Sequence, residues 1–237
     1  MTPPTLYLIP TPLGTANTPC LLPHELAQIV TLTDFVVEAE KTARAHLKAF
    51  GIQTPIRELN LQTLNEHTLA KDVATLIRPL QAGRSMGLLS ETGCPAVADP
   101  GAKLVAQTHQ AGFTVVPLTG PSSIMLALMA SGANGQCFAF KGYLPTEKNL
   151  RITQLKQLEV RSRQANETQL FIETPYRNDA LLTDALAVLH PQTRLCVATD
   201  LTLPTQSITS QPVKAWRQMK TLPSLKKRPS LFVLYAG

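Results

Sequence analysis

The chain has 237 residues, 44% of them apolar and 16% charged, with a mean hydropathy of +0.03. That balance excludes a disordered chain, which is poor in apolar residues and high in net charge. The formal net charge of +6 permits a polyanionic partner without requiring one.

The most apolar run, Ile124 to Ala130, falls far short of the roughly 18 residues a membrane helix needs, so no membrane partner is expected. The first residues, Met1-Thr2-Pro3-Pro4, lack the basic stretch and apolar core of a secretory signal. Cys20, Cys94, Cys137 and Cys196 are widely spaced, with no C-x-x-C pair, so neither a zinc site nor a disulfide framework is expected. A cytoplasmic protein with reduced thiols and no metal site is the plain reading.

In chain order, Leu6 to Pro10 reads as a first strand running into a Thr11-Pro12-Leu13-Gly14 loop. Phe35 to Glu38 reads as a second. Leu64, Leu69, Val73, Leu76, Ile77 and Leu80 recur at helical spacing, with Gly83 as a left-handed stop. Met86 to Leu89 is a continuous apolar run, as in a strand covered on both faces. Asp99-Pro100 reads as a cap and first helical position, and Gly112 closes that helix before a strand at Thr114 to Leu118.

The pattern restarts after Thr119-Gly120-Pro121-Ser122-Ser123. A helix from Ser122 to about Met129 is apolar nearly all round and is expected to be buried. Strands follow at Cys137 to Phe140, Gln169 to Ile172, Arg194 to Ala198 and Leu231 to Tyr235, with an amphipathic helix through Leu181, Leu182, Ala185, Leu186 and Leu189. Alternating strands and helices indicate an α/β protein of two domains, 1–118 and 119–237.

Three strand-to-helix loops concentrate small residues and turn formers: 10–14, 90–101 and 119–123. Ligands collect outside the carboxyl ends of strands in open α/β sheets, where glycines let backbone approach them closely. The loops match neither G-x-G-x-x-G nor G-x-x-x-x-G-K-[ST], and no G-x-S-x-G or H-E-x-x-H occurs. A nicotinamide dehydrogenase, a P-loop NTPase, a serine hydrolase and a metal hydrolase all lose support.

Ser90-Glu91-Thr92-Gly93-Cys94-Pro95 with Asp99-Pro100-Gly101, followed by Pro117-Leu118-Thr119-Gly120-Pro121-Ser122-Ser123, closely resembles one methyltransferase family. Thr11-Pro12-x-Gly14, Ala39-Glu40-Lys41-Thr42 and Glu173-Thr174-Pro175-Tyr176-Arg177 add to the match, in order along the chain. The family is the ribosomal RNA small subunit methyltransferase I family of the tetrapyrrole (corrin/porphyrin) methylase superfamily, here in a short form without the C-terminal helical extension.

The resemblance implies two α/β domains of the tetrapyrrole methylase type with the cofactor cleft between them, a homodimer, and S-adenosylmethionine as cofactor. It carries cofactor contacts onto Pro10, Leu13, Gly14, Ser90, Glu91, Thr92, Gly93, Pro95, Val97, Ala98, Asp99, Ser122, Ser123, Glu173 and Thr174. It also implies RNA as acceptor, methylated at a ribose 2′-hydroxyl. The chain departs from the family pattern in carrying Glu91 where aspartate is usual, Lys41 in place of an acid, and Leu203 in place of a lysine. A methylase of a tetrapyrrole or other small molecule, and a non-catalytic module binding the cofactor or RNA, are the alternatives.

Transfer to a hydroxyl needs alignment and a group to take the proton. Glu91 and Glu40 are the catalytic candidates, with His67 behind them; Lys41 and Arg44 are either anion-holding or a solvated first helical turn. The positive charge lies in two stretches, 141–163 and 214–228, expected as a phosphate-tracking surface. Trp216 and Tyr235 are possible stacking residues, Tyr235 more readily a core side chain.

Overall fold

A computed structural model describes residues 3–15 and 18–237. The chain divides into two compact units, Met1–Ser122 and Ser123–Gly237.

The first unit is built on five parallel strands: β1 (Thr5–Ile9), β2 (Asp34–Val37), β3 (Asn60–Thr63), β4 (Met86–Leu89) and β5 (Thr114–Pro117), in the order β3-β2-β4-β1-β5. Its helices are α1 (Pro23–Ile29), α2 (Glu40–Phe50), the single turns α3 (Ala70–Val73) and α4 (Arg78–Gln81), and α5 (Gly101–Gln110). The strands β2 and β4 are buried at every position, which is why β4 reads as an unbroken apolar run, while β2 begins with the buried Asp34. β3, at the sheet's edge, carries the polar sequence Asn-Leu-Gln-Thr, and its alternation is too weak to read.

The helix expected through Leu64–Leu80 is broken. Pro79 cannot donate the hydrogen bond that a continuous helix requires, and α3 and α4 form separate turns on either side of Leu76–Ile77. Leu64, Val73, Leu76, Ile77 and Leu80 still reach one core cluster with Leu6, Val36 and Met86, whereas Leu69 is exposed.

In the second unit the elements are α6 (Ser123–Ser131), β6 (Phe138–Tyr143), α7 (Lys148–Ala165), β7 (Thr168–Ile172), α8 (Asn178–Val188), β8 (Arg194–Thr199), β9 (Ser207–Pro212), α9 (Val213–Arg217) and β10 (Ser230–Tyr235). The sheet runs β6-β7-β10-β8-β9, with β6 parallel to β7, and with β10 antiparallel to both β7 and β8. Its core gathers Leu155, Leu158, Phe171, Leu181, Val197, Trp216 and Phe232, with the Phe171 and Phe232 rings stacked 5.6 Å apart.

Helix α7 is the longest in the chain, yet its apolar stripe is faint. Two of its five buried positions are Arg151, paired with Asp184, and Glu159, which accepts the Thr193 hydroxyl and the His190 N–H. Glu147 caps its start by accepting the N–H groups of Asn149 and Leu150.

The expectation that the helix beginning at Ser122 would be buried all round is corrected. α6 buries Ala127, Leu128 and Ser131, while Met125 and Met129 are exposed. Only one face of the helix lies on the β8–β10 side of the sheet.

Candidate active site

The first unit brings its three loops together at the carboxyl ends of β1, β4 and β5. Thr11 and Gly93 form a two-way backbone bridge, Thr11 N–H to Gly93 O at 2.9 Å and Gly93 N–H to Thr11 O at 3.1 Å. Ser90 turns its buried hydroxyl onto the Gly93 carbonyl at 2.9 Å. Gly93 adopts φ +80°, and a side chain there would press on Leu13. Gly120 lies so close to Pro10 that a Cβ would fall 2.2 Å from the proline's own Cβ. Pro10, Leu13, Ser90, Gly93 and Gly120 thus pack into one cradle, and Gly14, Thr92 and Pro95 lie on the same loops.

Asp99 supports the far end of the second loop rather than facing outward. Its Oδ1 accepts the N–H groups of Ala96 at 2.9 Å and Gly101 at 2.7 Å. These bonds hold Ala96 and Ala98 in left-handed backbone, φ +65° and +60°. Burial raises the Asp99 carboxyl above its usual range, and the two N–H groups offset part of that rise. Val97 is exposed at the tip.

The third loop is fixed by a residue that the motif reading missed. Glu25, on α1, is buried and accepts the Thr119 N–H with Oε1 and the Leu22 N–H with Oε2. Burial by itself would raise its carboxyl; these backbone donors outweigh burial and hold it below the usual range. A glutamate in the first turn of a helix reads as a routine dipole partner, and nothing local indicates that it reaches the distant turn.

The catalytic candidates separate. Glu40 is exposed and paired with Arg44 one helical turn along, at 2.6 Å. His67 is exposed beside Glu66. Glu91 accepts the Thr42 hydroxyl at 3.1 Å, and its backbone N–H lies 3.4 Å from an oxygen of Glu38. Glu38 immediately follows β2 and is half-buried where Val37 pairs with Leu89 of β4, so register alone sets it beside Ser90 and Glu91. The sequence reading took Glu38 only as a strand end.

In the second unit, Glu173 follows β7 with its side chain wholly buried. One oxygen accepts from Thr174 N–H and from Arg177, each at 2.6 Å; the other has no partner among the described residues. Ser123 is the first residue of α6.

Four arginines of the basic stretches have partners within the protein, and of these Arg151 is the buried one. Arg151 is buried against Asp184, Arg161 pairs with Glu167, Arg217 donates to the Leu186 and Leu189 carbonyls, and Arg228 pairs with Asp200. Trp216 is wholly buried and donates to the Leu195 carbonyl, so it offers no stacking surface; Tyr235 is held by Asn166. Lys141, Lys156, Arg163, Lys214, Lys220, Lys226 and Lys227 remain exposed. Among the described residues no group of histidine, cysteine and carboxylate side chains has the arrangement of a metal site, and no helix is long and apolar enough to cross a membrane.

The family model described as Tetrapyrrole (Corrin/Porphyrin) Methylases matches residues 5–215. The chain belongs to this family. Membership makes it a methyltransferase, in a family whose methyl donor is S-adenosylmethionine. Among its relatives in the tetrapyrrole methylase family is a Vibrio cholerae protein named ribosomal RNA small subunit methyltransferase I, 33% identical over 210 residues, which span 89% of this chain and 69% of the relative. A Xylella fastidiosa protein of the same name is 35% identical over 201 residues, 85% of this chain and 70% of that one. Among solved structures, the methyltransferase CobJ superposes with a TM-score of 0.62 at 17% identity, covering 99% of this chain and 94% of CobJ. The uroporphyrin-III-C-methyltransferase of Thermus thermophilus gives 0.55 at 18% identity, covering 98% and 94%. At such identities these two report the shared fold.

Proposed function

We propose that this tetrapyrrole methylase transfers a methyl group from S-adenosylmethionine to a ribose 2′-hydroxyl of RNA. The observation that carries the acceptor class is the likeness, over most of the chain, to two proteins named for ribosomal RNA. The exposed lysines and Arg163 supply positive charge for a phosphate backbone, with the buried Arg151 subtracted from that surface.

The residues present fit the cofactor. The loops carrying Pro10, Leu13, Gly14, Ser90, Thr92, Gly93 and Pro95 can close on one another because Gly93 and Gly120 lack the Cβ atoms that would meet Leu13 and Pro10. Glu38, Glu91 and Asp99 give its β2–β4 side a negative potential suited to a sulfonium. Val97, Ala98 and Ser122 complete the proposed cofactor contacts of the first unit; in the second, Ser123, Glu173 and Thr174 are the proposed contacts, and the open oxygen of Glu173 suits a ligand N–H or O–H. When bound, the cofactor supplies a methyl carbon activated by positively charged sulfur. The protein's part is to hold the acceptor oxygen in line, exclude water and receive a proton. A cytoplasmic homodimer is the proposed working form.

Calorimetry with S-adenosylhomocysteine, and transfer of tritiated methyl into ribosomal RNA, tRNA and metabolite fractions, test this reading. Label is expected in the small-subunit ribosomal RNA. Label confined to the metabolite fraction replaces RNA with a small-molecule acceptor; binding without transfer to any fraction leaves a non-catalytic module.

A further inference from the structure

Three carboxylates converge where β2 and β4 end, and they are not equivalent. Asp99 is committed to the backbone N–H groups of Ala96 and Gly101. Glu91 is exposed and accepts from Thr42. Glu38 is half-buried, and its single hydrogen bond among the described residues is the long contact from the Glu91 N–H.

Beside them lies His46 of α2, only 3% exposed and stacked on Phe50 with ring centroids 6.3 Å apart. Neither ring nitrogen makes a close hydrogen bond among the described residues; the nearest partner is the Glu91 backbone, whose long contact, with the Glu91 charge, favours the protonated ring. Burial outweighs Glu91 and holds His46 below its usual pKa, so the neutral ring can turn its N–H to the Glu91 backbone and leaves its other nitrogen open as an acceptor. Buried polar atoms are nearly always satisfied. An imidazole left open against this cluster indicates a site whose polar contacts are completed by a ligand.

We propose that Glu38 is the catalytic residue that takes the proton of the acceptor hydroxyl. The inference rests on the methyl transfer to a hydroxyl proposed above. In the step, the acceptor O–H bond breaks and its proton passes to the Glu38 carboxylate. The oxygen's electron pair forms the new O–C bond while the C–S bond breaks, and sulfur keeps that pair and becomes a neutral thioether. The groups acting on Glu38 suit this role. Burial raises its carboxyl above the usual range, and the negative charges of Asp99 and of Glu91 raise it further; the Glu91 N–H offsets part of this. A raised carboxyl is a stronger base once ionised.

The test is Glu38→Gln, assayed for tritiated methyl transfer to small-subunit ribosomal RNA and for S-adenosylhomocysteine binding. A fall in kcat of roughly hundredfold or more is expected, with affinity for S-adenosylhomocysteine, whose neutral sulfur does not sense the lost charge, unchanged within about threefold. A transfer rate close to wild type overturns the proposal, as does a loss of cofactor affinity that accounts for the loss of rate. Wild-type protein that transfers methyl to no RNA or metabolite fraction overturns the underlying reading and this step with it, so the two failures are distinct.

Two readouts are independent of turnover. Carbon-13 titration of the glutamate carboxyls should place Glu38 above the other glutamates, moving down in Glu91→Gln. Folding of wild type should lose stability relative to Glu38→Gln as pH rises through the ordinary carboxylate range toward the raised value, because the unfolded chain gives up that proton first. A Glu38 that titrates as an ordinary glutamate overturns the proposal.

Discussion

The Glu25 carboxylate accepts the backbone N–H of Thr119, a residue 94 positions away in the chain. This bond sets the height of the Thr119-Gly120-Pro121 turn against Pro10, and Gly120 has no room to adjust there. The first helix of the chain therefore helps to shape its third ligand loop.

Glu25→Ala should cost about 1.5–3 kcal/mol, the range for a hydrogen bond to a charged group, and should weaken S-adenosylhomocysteine binding. Because the carboxyl is held low in the folded state, its contribution is complete above the ordinary carboxylate range and is lost as pH falls through the lowered value. Urea denaturation of both proteins across the acid range should show the gap closing toward low pH. A gap independent of pH contradicts this account.

Gly120→Ala places a methyl 2.2 Å from the Pro10 Cβ, so backbone must move at the cradle. Cofactor affinity is expected to fall by about tenfold or more. Calorimetry reads this directly, and circular dichroism checks that the sheet survives.

Arg151 and Asp184 form a buried ion pair, with side chains 7% and 8% exposed. Asp184→Asn leaves the guanidinium without its counter-charge and should cost about 3–5 kcal/mol. Arg151→Met should likewise lower the urea midpoint, without changing the salt dependence of RNA binding. A change in that salt slope would return Arg151 to the phosphate-binding set.

The thiols offer a map of the loops. Burial, and for Cys20 the nearby Glu25 charge, push Cys20 and Cys196 up to about 11. At pH 8 roughly one part in a thousand of each is thiolate, so iodoacetamide should spare them in the folded protein. Cys94, raised by burial to a lesser degree, sits in the second cradle loop with its sulfur 3.5 Å from the Pro121 carbonyl. Its alkylation, followed by mass spectrometry, should slow when S-adenosylhomocysteine is added. An unchanged rate under saturating ligand argues that the cofactor lies elsewhere.

The alternating strands and helices, strand β2, the apolar run of β4, and the loops 10–14 and 90–95 were all legible in the sequence. Each depends on local chemistry: period, turn residues, and glycines where backbone must pass closely. The edge strands β3 and β9 were not legible, since a half-covered polar strand leaves no strong alternation. Helix α7 was hidden for a related reason, because charged residues stand at two of its buried positions and are tolerated only through partners on other elements.

Composition and pattern thus determined that this is an α/β protein with three small-residue loops and with its positive charge in residues 141–163 and 214–228, and the resemblance of those loops to one family implied a methyltransferase. Tertiary structure alone decided what each charge does. Arg151 became an internal counter-ion, Glu25 a brace for a distant turn, and Glu38, through the pairing of β2 with β4, a neighbour of Glu91 and Asp99. A side chain's protonation and role depend on burial and on the charges around it, and those are set by contacts between residues far apart in sequence.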